Sequence, residues 1–318
     1  MRLSPKHATL LLLLAILALA PLVFPSSFYY RVFALIYVNA LAVTGLVILL
    51  GFAGQVSLGH AGFVGIGAYA SALAPMHLGL PPLLALVFGA LLSALVAFVI
   101  GRPILRLKGY TLAIATLGFG ILVSMVLRNE AWLTGGPDGV AVPALGLKDG
   151  LKGLGLKLKT SELWYWTSGI VLLFGAWLAL NLQHSPSGRA LRALHDSEVA
   201  AKTLGVDVAR FKLKAFVVSA VYASISGSLL ALMNGFVTPE VAGFLHSIEL
   251  VTMAVLGGAG SVIGGFFGSV LLTALPQALT FFQEYKHLLL GLIMMLVMIF
   301  MTEGLVPSLQ RRLFGRTS

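Results

Sequence analysis

The chain contains no cysteine, which excludes both a disulfide framework and a thiolate metal site. Charge is scarce as well: charged residues make up 10% of 318 positions, far below the share of a soluble globular chain. Acids are the rarer sign, 11 against 21 bases. Several residue patterns that carry chemistry are missing too. There is no Asp-rich diphosphate site, no His-Glu-x-x-His, no Gly-x-Ser-x-Gly elbow and no Gly-x-x-x-x-Gly-Lys-Ser/Thr loop. No catalytic residue, cofactor or metal ligand set is therefore expected, and the chain cannot hold ATP in that loop's manner.

What fills the space is apolar. Hydrophobic residues reach 58% and glycines number 36, the profile of an all-α polytopic helical membrane protein in one domain, residues 1–318. Runs of bilayer length, about 20 residues each, lie near 8–24, 32–50, 57–75, 82–101, 110–127, 163–182, 215–235 and 286–302. The region 246–280 is longer and interrupted by glycine, with room for two crossings; about ten segments are expected. The first run has features of a signal peptide, since Arg2 and Lys6 precede Leu10–Ala20 and Ala18-Leu-Ala20 resembles a cleavage site. Its apolar character continues through Phe24 and no secreted domain follows, so a retained helix is expected.

The net charge of +10 points to topology and not to nucleic acid, because the bases sit at the ends of apolar runs. The loop 102–108 holds Arg102, Arg106 and Lys108 with no acid, and 184–214 holds six bases against three acids. The segment 128–162 is nearly balanced, five bases to four acids. Placing both termini in the cytoplasm puts the first two loops inside and 128–162 outside, provided that 246–280 crosses twice or dips and returns.

Two glycine-rich interruptions align. Leu50-Gly-Phe-Ala-Gly-Gln-Val-Ser-Leu-Gly59 and Leu256-Gly-Gly-Ala-Gly-Ser-Val-Ile-Gly-Gly265 share Leu, Gly, Ala, Gly, Val and Gly in register. Paired broken segments are the mark of an internal repeat and a transport pathway in carriers; chance similarity between glycine-rich helices is the other reading. Pathway candidates are Gln55, Ser57, His60, Ser219, Tyr222, Glu249 and Thr252. Glu249 is the one acid inside an apolar stretch, where a carboxylate faces protein or water; it either ties to His246 or a helix end or touches solute. His60 heads a small-residue stripe, Ala61, Gly65, Ala68 and Ala72, and reads as a hydrogen-bonding helix-end residue more than as a proton relay. Ser219, Tyr222 and Ser226 share a helical face that suits either a pathway or packing.

The polar stretch Ser187-Gly-Arg-Ala-Leu-Arg-Ala-Leu-His-Asp-Ser-Glu-Val-Ala-Ala-Lys-Thr-Leu-Gly-Val-Asp207 lies between two apolar segments and is helix-prone. A cytosolic surface of this kind, within 184–213, suits docking to a protein that supplies energy. Arg189, Arg192, Leu194, Glu198, Ala200, Ala201 and Gly205 are the docking candidates, with Leu191, Leu194, Val199 and Leu204 expected to form one apolar face. Thr134-Gly-Gly-Pro-Asp-Gly139 is turn chemistry that would anchor the outer loop, and Gly135, Gly136 and Asp138 are candidates for docking an outer partner.

Four runs carry a family resemblance: Gly54-Gln-Val-Ser-Leu-Gly-His-Ala-Gly-Phe63, Tyr110-Thr-Leu-Ala-Ile-Ala-Thr-Leu-Gly-Phe-Gly120, Leu133-Thr-Gly-Gly-Pro-Asp-Gly139 and Ser247-Ile-Glu-Leu-Val-Thr-Met-Ala-Val-Leu-Gly-Gly-Ala-Gly-Ser261. Together, over roughly residues 35–300, the chain resembles the permeases of branched-chain amino-acid ABC importers, of the LivM type. The resemblance implies a cell inner-membrane subunit that forms half of a translocation pathway. It also implies a second homologous permease, two ATP-binding subunits that hydrolyse ATP, and an extracytoplasmic solute-binding protein, all around a lipid bilayer and with no nucleic acid. The 188–207 segment departs from the Glu-Ala-Ala-x-x-x-Gly pattern of many ABC permeases, because Val199 stands before Ala200 and Glu198 comes one place early. The family extends to urea and amides, so the solute is open. An ion- or proton-coupled secondary carrier is the alternative, with Glu249 its only coupling acid.

Overall fold

A computed structural model describes residues 5–146 and 159–278, together with positions 291, 295, 304–306 and 308. Six helices among these are long and apolar enough to cross a membrane. They are α2 (Ser27–Val47, continued by a π-turn over Ile48–Phe52), α3 (His60–Leu78), α4 (Pro82–Ile104), α5 (Tyr110–Asn129), α7 (Thr160–His184) and α10 (Val208–Asn234). The helix α1 (Pro5–Leu19), which runs into a 3-10 turn at Ala20–Leu22, is apolar but shorter. So are α11 (Phe244–Gly257) and α12 (Val262–Ala278). Short α6 (Ala131–Thr134) follows α5, while α8 (Pro186–Asp196) and α9 (Glu198–Thr203) link α7 to α10. The apolar run 286–302 lies outside the described residues, apart from single positions.

Local chemistry sets these boundaries. Pro82 opens α4 at a position where its missing N–H costs nothing. Asp207 caps α10, its carboxylate accepting from the Arg210 N–H at 3.1 Å, and Gly235 ends the same helix with φ +70°. α2 is the central element: 83% of its apolar window is buried, against 22% for α4 and 28% for α5. Those two therefore present leucine, isoleucine and valine outward, where acyl chains can cover them. The core between α3 and α10 is built on absent side chains. A methyl on Gly227 would overlap the Val64 carbonyl, and one on Gly67 would overlap the Ser224 backbone. Two backbones meet there, and Ser228 Oγ donates to the Gly67 carbonyl at 2.9 Å.

The expected break in 246–280 is present. α11 ends at Gly257, residues 258–261 leave helical geometry with Gly258 at φ +112°, and α12 starts at Val262. α12 folds back on α11, since a methyl on Gly268 would strike the Met253 carbonyl. At 1.5 Å per residue α11 is about 21 Å long, short of the roughly 30 Å hydrocarbon core. The first run is helical, and Lys6 Nζ donates to Asn181 Oδ1 near the end of α7, which brings the N-terminal residues to the α8–α9 end of the bundle. At the other end β1 (Val140–Ala141) pairs antiparallel with β2 (Phe236–Val237), clamping the segment after α5 to the end of α10.

Candidate functional site

At the α8–α9 end, Ser197 divides what reads as one amphipathic stretch. Its Oγ accepts from the Ala200 N–H at 3.3 Å and caps α9 afresh, so the helical register is reset there. The single apolar face expected of Leu191, Leu194, Val199 and Leu204 is consequently split. Leu191 and Leu194 are buried in the core with Ala201, whereas Val199 and Leu204 are 73% and 78% exposed. Arg189 and Ala200 are exposed, and Arg192 Nη2 donates to the Gln183 carbonyl at 3.1 Å. Gly205 has φ +80° and open space around its Cα.

Glu198 faces inward, not outward. It accepts from the buried Lys212 Nζ, and its other oxygen lies 3.5 Å from Lys108 Nζ. Partial burial opposes its ionisation, but the hydrogen bond and charge of Lys212, with the charge of Lys108, outweigh that and hold the carboxyl below its ordinary value of 4.5. α9 is thereby pinned to α10 and to the α4–α5 loop. A groove of about 1170 Å³ beside this clasp is lined by Arg102, Arg106 and Lys202. Sequence reasoning placed Lys108 and Lys212 only as topological charges; nothing in the spacing pairs Lys212 with an acid 14 residues away.

The two aligned interruptions meet in space. Gly51 sits so close to Ala259 and Gly260 that a methyl would overlap the Ala259 carbonyl. Gly54, at φ +64°, lies against α8: a Cβ there would be 3.0 Å from His195 Nδ1. The first break thus touches the second break on one side and the end of α8 on the other. It also carries polar groups without matched partners. Gln55, Ser57 and His60 are 3%, 3% and 1% exposed, and none of their side-chain polar atoms makes a well-formed hydrogen bond. The His60 ring faces the Ala42 carbonyl without full alignment. Buried polar atoms of this kind are sites for water or a passing solute.

The remaining pathway candidates divide. Tyr222 donates to the Gly175 carbonyl at 2.7 Å, and its neighbour Ser226 donates to Val38 at 2.7 Å. Ser219 is wholly buried beneath Gly45, its Oγ without a bonded partner. These residues tie α10 to α2 and α7. Glu249 is on α11 with its side chain 56% exposed, its Oε2 3.5 Å from His246 Nδ1. Thr252 follows three residues later along α11 and is half-buried.

At the far end, Thr134 Oγ1 donates to the Leu127 carbonyl at 2.7 Å and lies within 2.8 Å of the Glu130 carbonyl. Gly135, Gly136 and Gly139 then take φ of +72°, +62° and +76°, which fixes a tight turn and leaves Asp138 exposed at its tip. Beside this turn a cleft of about 950 Å³ opens between α5, α11 and the 3-10 turn Pro239–Ala242, with Arg128, Asn129, Glu240, His246 and Glu249 in its wall. Arg128 is about 27 Å along α5 from Tyr110, and Leu230, also in the wall, about 33 Å along α10 from Val208. The cleft and the basic groove therefore lie at opposite ends. Among the described residues no group of His, Asp and Glu is arranged to hold a metal ion.

Residues 28–298 match a family model described as the permease component of branched-chain amino acid transport systems. The permease protein LivM of the high-affinity branched-chain amino acid transport system of Salmonella typhimurium is 35% identical over 291 residues, covering 85% of this chain and 68% of LivM. LivH of Escherichia coli, a permease protein of the same system type, is 28% identical over 288 residues, 84% and 90% of the two chains. The autoinducer 2 import permease LsrC of an Enterobacter species is 26% identical over 225 residues, 68% of this chain and 61% of LsrC. No solved structure matches the chain.

Proposed function

The chain belongs to the family of branched-chain amino acid transport system permease components, and on that premise we propose that it forms half of the membrane pathway of an ATP-driven amino-acid importer. It is a multi-pass membrane permease; the bacterial inner membrane is the proposed location. The second half is a homologous permease, for which the existence of both LivM-like and LivH-like relatives is the support. Two ATP-binding subunits dock on the 184–213 segments and hydrolyse the nucleotide, and this chain is not itself an enzyme. An extracytoplasmic solute-binding protein docks at the 128–162 loop through Gly135, Gly136 and Asp138.

The basic end is cytoplasmic in this reading, with both termini. Loop charge supports it, as does the contact that brings Lys6 to the same end as α8 and α9. Ten segments result if α1, the two arms of the broken element and the run 286–302 are added to the six long helices. The packing of Gly51 on Ala259 supports a repeat whose two breaks are paired. Docking contacts come from Arg189, Arg192, Ala200, Gly205 and the exposed Val199 and Leu204, while Leu194, Glu198 and Ala201 hold the docking helices to the membrane part. Gln55, Ser57 and His60 line the passage at the first break.

The observation that carries the proposal is the family match across 28–298. The test is reconstitution of this chain in vesicles, with and without partner subunits and binding protein. ATP-dependent leucine uptake that needs all components is the expected result. Uptake by this chain alone, driven by a proton or sodium gradient, would establish the secondary carrier instead.

A further inference from the structure

The first break gathers polar groups in a stretch of chain without charge: no acid or base occurs between Arg31 and Arg102. After the π-turn, burial alternates. Gly54 and Val56 are exposed while Gln55 and Ser57 are buried, so these two side chains turn inward on one side just before α3. His60, the first residue of α3, is buried as well. Among the described residues, Gln55 Nε2 and Oε1, Ser57 Oγ and both ring nitrogens of His60 lack a hydrogen-bond partner. The Leu58 N–H donates to Thr116 Oγ1 at 3.1 Å, and a methyl on Gly59 would overlap the Thr116 carbonyl. α3 therefore starts beside a point about 9 Å along α5 from Tyr110, inside the roughly 30 Å hydrocarbon core that α5 crosses. Its first turn holds no acid, and Gly59 supplies no side-chain cap. The one side chain that meets this turn from another helix is neutral, Ser247 Oγ accepting from the Ala61 N–H at 3.0 Å. The partial positive charge of the helix start thus meets no anion among these side chains.

We infer that Gln55, Ser57 and His60 form, with the start of α3, the seat that receives the carboxylate end of the solute as it crosses the membrane part. The Gln55 amide, the Ser57 hydroxyl and the His60 N–H are donors, and the helix start adds the field that favours an anion over a cation. Helix starts within the bilayer serve anionic groups of solutes in this way. Neutrality suits the task. An amino-acid zwitterion has no net charge, so a seat without ionised side chains leaves no bare ion in the bilayer when the solute departs. The seat is shut in this conformation, with its side chains buried and Gly51 closed on Ala259, and it opens when the two breaks part. This inference rests on the importer reading and adds to it which end of the solute these residues recognise.

The test separates recognition from packing by setting stability against transport. Gln55→Met and His60→Leu replace unpartnered polar groups by apolar ones of similar size. A buried polar atom without a partner is costly, so both variants should melt at or above the midpoint of the parent. Leucine uptake per ATP hydrolysed by the fully assembled importer should nevertheless fall about tenfold in each, the loss of a hydrogen bond to a charged group. Gln55→Glu, close to the same shape, sets a carboxylate against a carboxylate and should transport less leucine than Gln55→Met. Unchanged uptake in either apolar variant, or a midpoint that falls in step with uptake, overturns the seat. Uptake by Gln55→Glu equal to or above that of Gln55→Met overturns the assignment to the carboxylate end. All of these results leave the importer standing. Failure of the parent assembly to take up leucine with ATP overturns the importer reading, and the seat with it.

Discussion

The two ends of α10 solve the problem of charge in opposite ways. At Val208–Lys214 the acid turns inward: Glu198 is held by Lys212 and Lys108, and the surplus arginines and lysines face a groove. Near Leu230 the wall of an open cleft brings Arg128 together with Glu240 and Glu249, and Glu249 lies 3.5 Å from His246. One end uses its carboxylate for rigidity, and the other gathers both signs around an open cleft. A helix about 40 Å long joins the two, so the comparison is also a statement about what each end can move.

The strongest way to break it is to spoil the rod between them. Gly227→Leu forces a side chain into the Val64 backbone, an overlap that no rotamer relieves. We expect destabilisation beyond about 3 kcal/mol and little purified protein; a thermal midpoint near that of the parent would show the α3–α10 contact to be loose. Next in size is Glu198→Ala, which leaves Lys212, 5% exposed, without its counter-charge at a cost on the order of 2 kcal/mol. Lys108→Ala, whose side chain is 73% exposed, should stay within about 0.5 kcal/mol. Equal losses from the two would mean that the clasp is a surface pair.

Acid sharpens the same point. The Glu198 carboxyl is held below its ordinary value, so its contribution is complete above pH 4.5 and is lost as pH falls through the lowered value. The stability gap between the parent and Glu198→Gln should therefore close on acidification and stay constant near neutrality. A gap that widens in acid would reverse the sign of the interaction.

Smaller effects on folding distinguish the partners of each end. Gly205→Arg meets no neighbouring atom but pays about 1–2 kcal/mol for φ +80°. The chain should fold, while the ATP-binding subunits dissociate or hydrolyse ATP without uptake; normal co-purification and uptake would remove this turn from the docking surface. Asp138→Ala at the opposite end should change stability by less than about 0.5 kcal/mol, because the side chain is exposed. It should nevertheless weaken stimulation of ATPase by the binding protein. Unchanged stimulation reduces the loop to a tether.

Much of the architecture was legible because membrane helices announce themselves by length and glycine breaks them. The interruption at Gly257–Ser261 and its likeness to Leu50–Gly59 were readable from spacing, and the two do come together. What was not readable depends on which face of a helix turns inward. Leu191 and Leu194 share a periodicity with Val199 and Leu204 until Ser197 resets it, and a hydroxyl cap is a weak signal inside a polar stretch. Arg128 looked like one more loop base, since Glu240 and Glu249 lie more than a hundred residues away and only the packing of α5 on α11 gathers them. Glu249 stood out as an acid in an apolar run, and of its readings the tie to His246 is the one that has a contact, at 3.5 Å.

The contacts of the first break bear on how force is carried. Most helix interfaces meet through side chains, each of which can rotate and absorb part of a displacement as a soft spring would. Where Gly51 rests on Ala259 and Gly54 rests on α8, one partner contributes backbone alone. With little compliant material between them, a shift of α8 reaches both breaks with small loss of amplitude, and a single methyl added at Gly51 would force the two breaks apart.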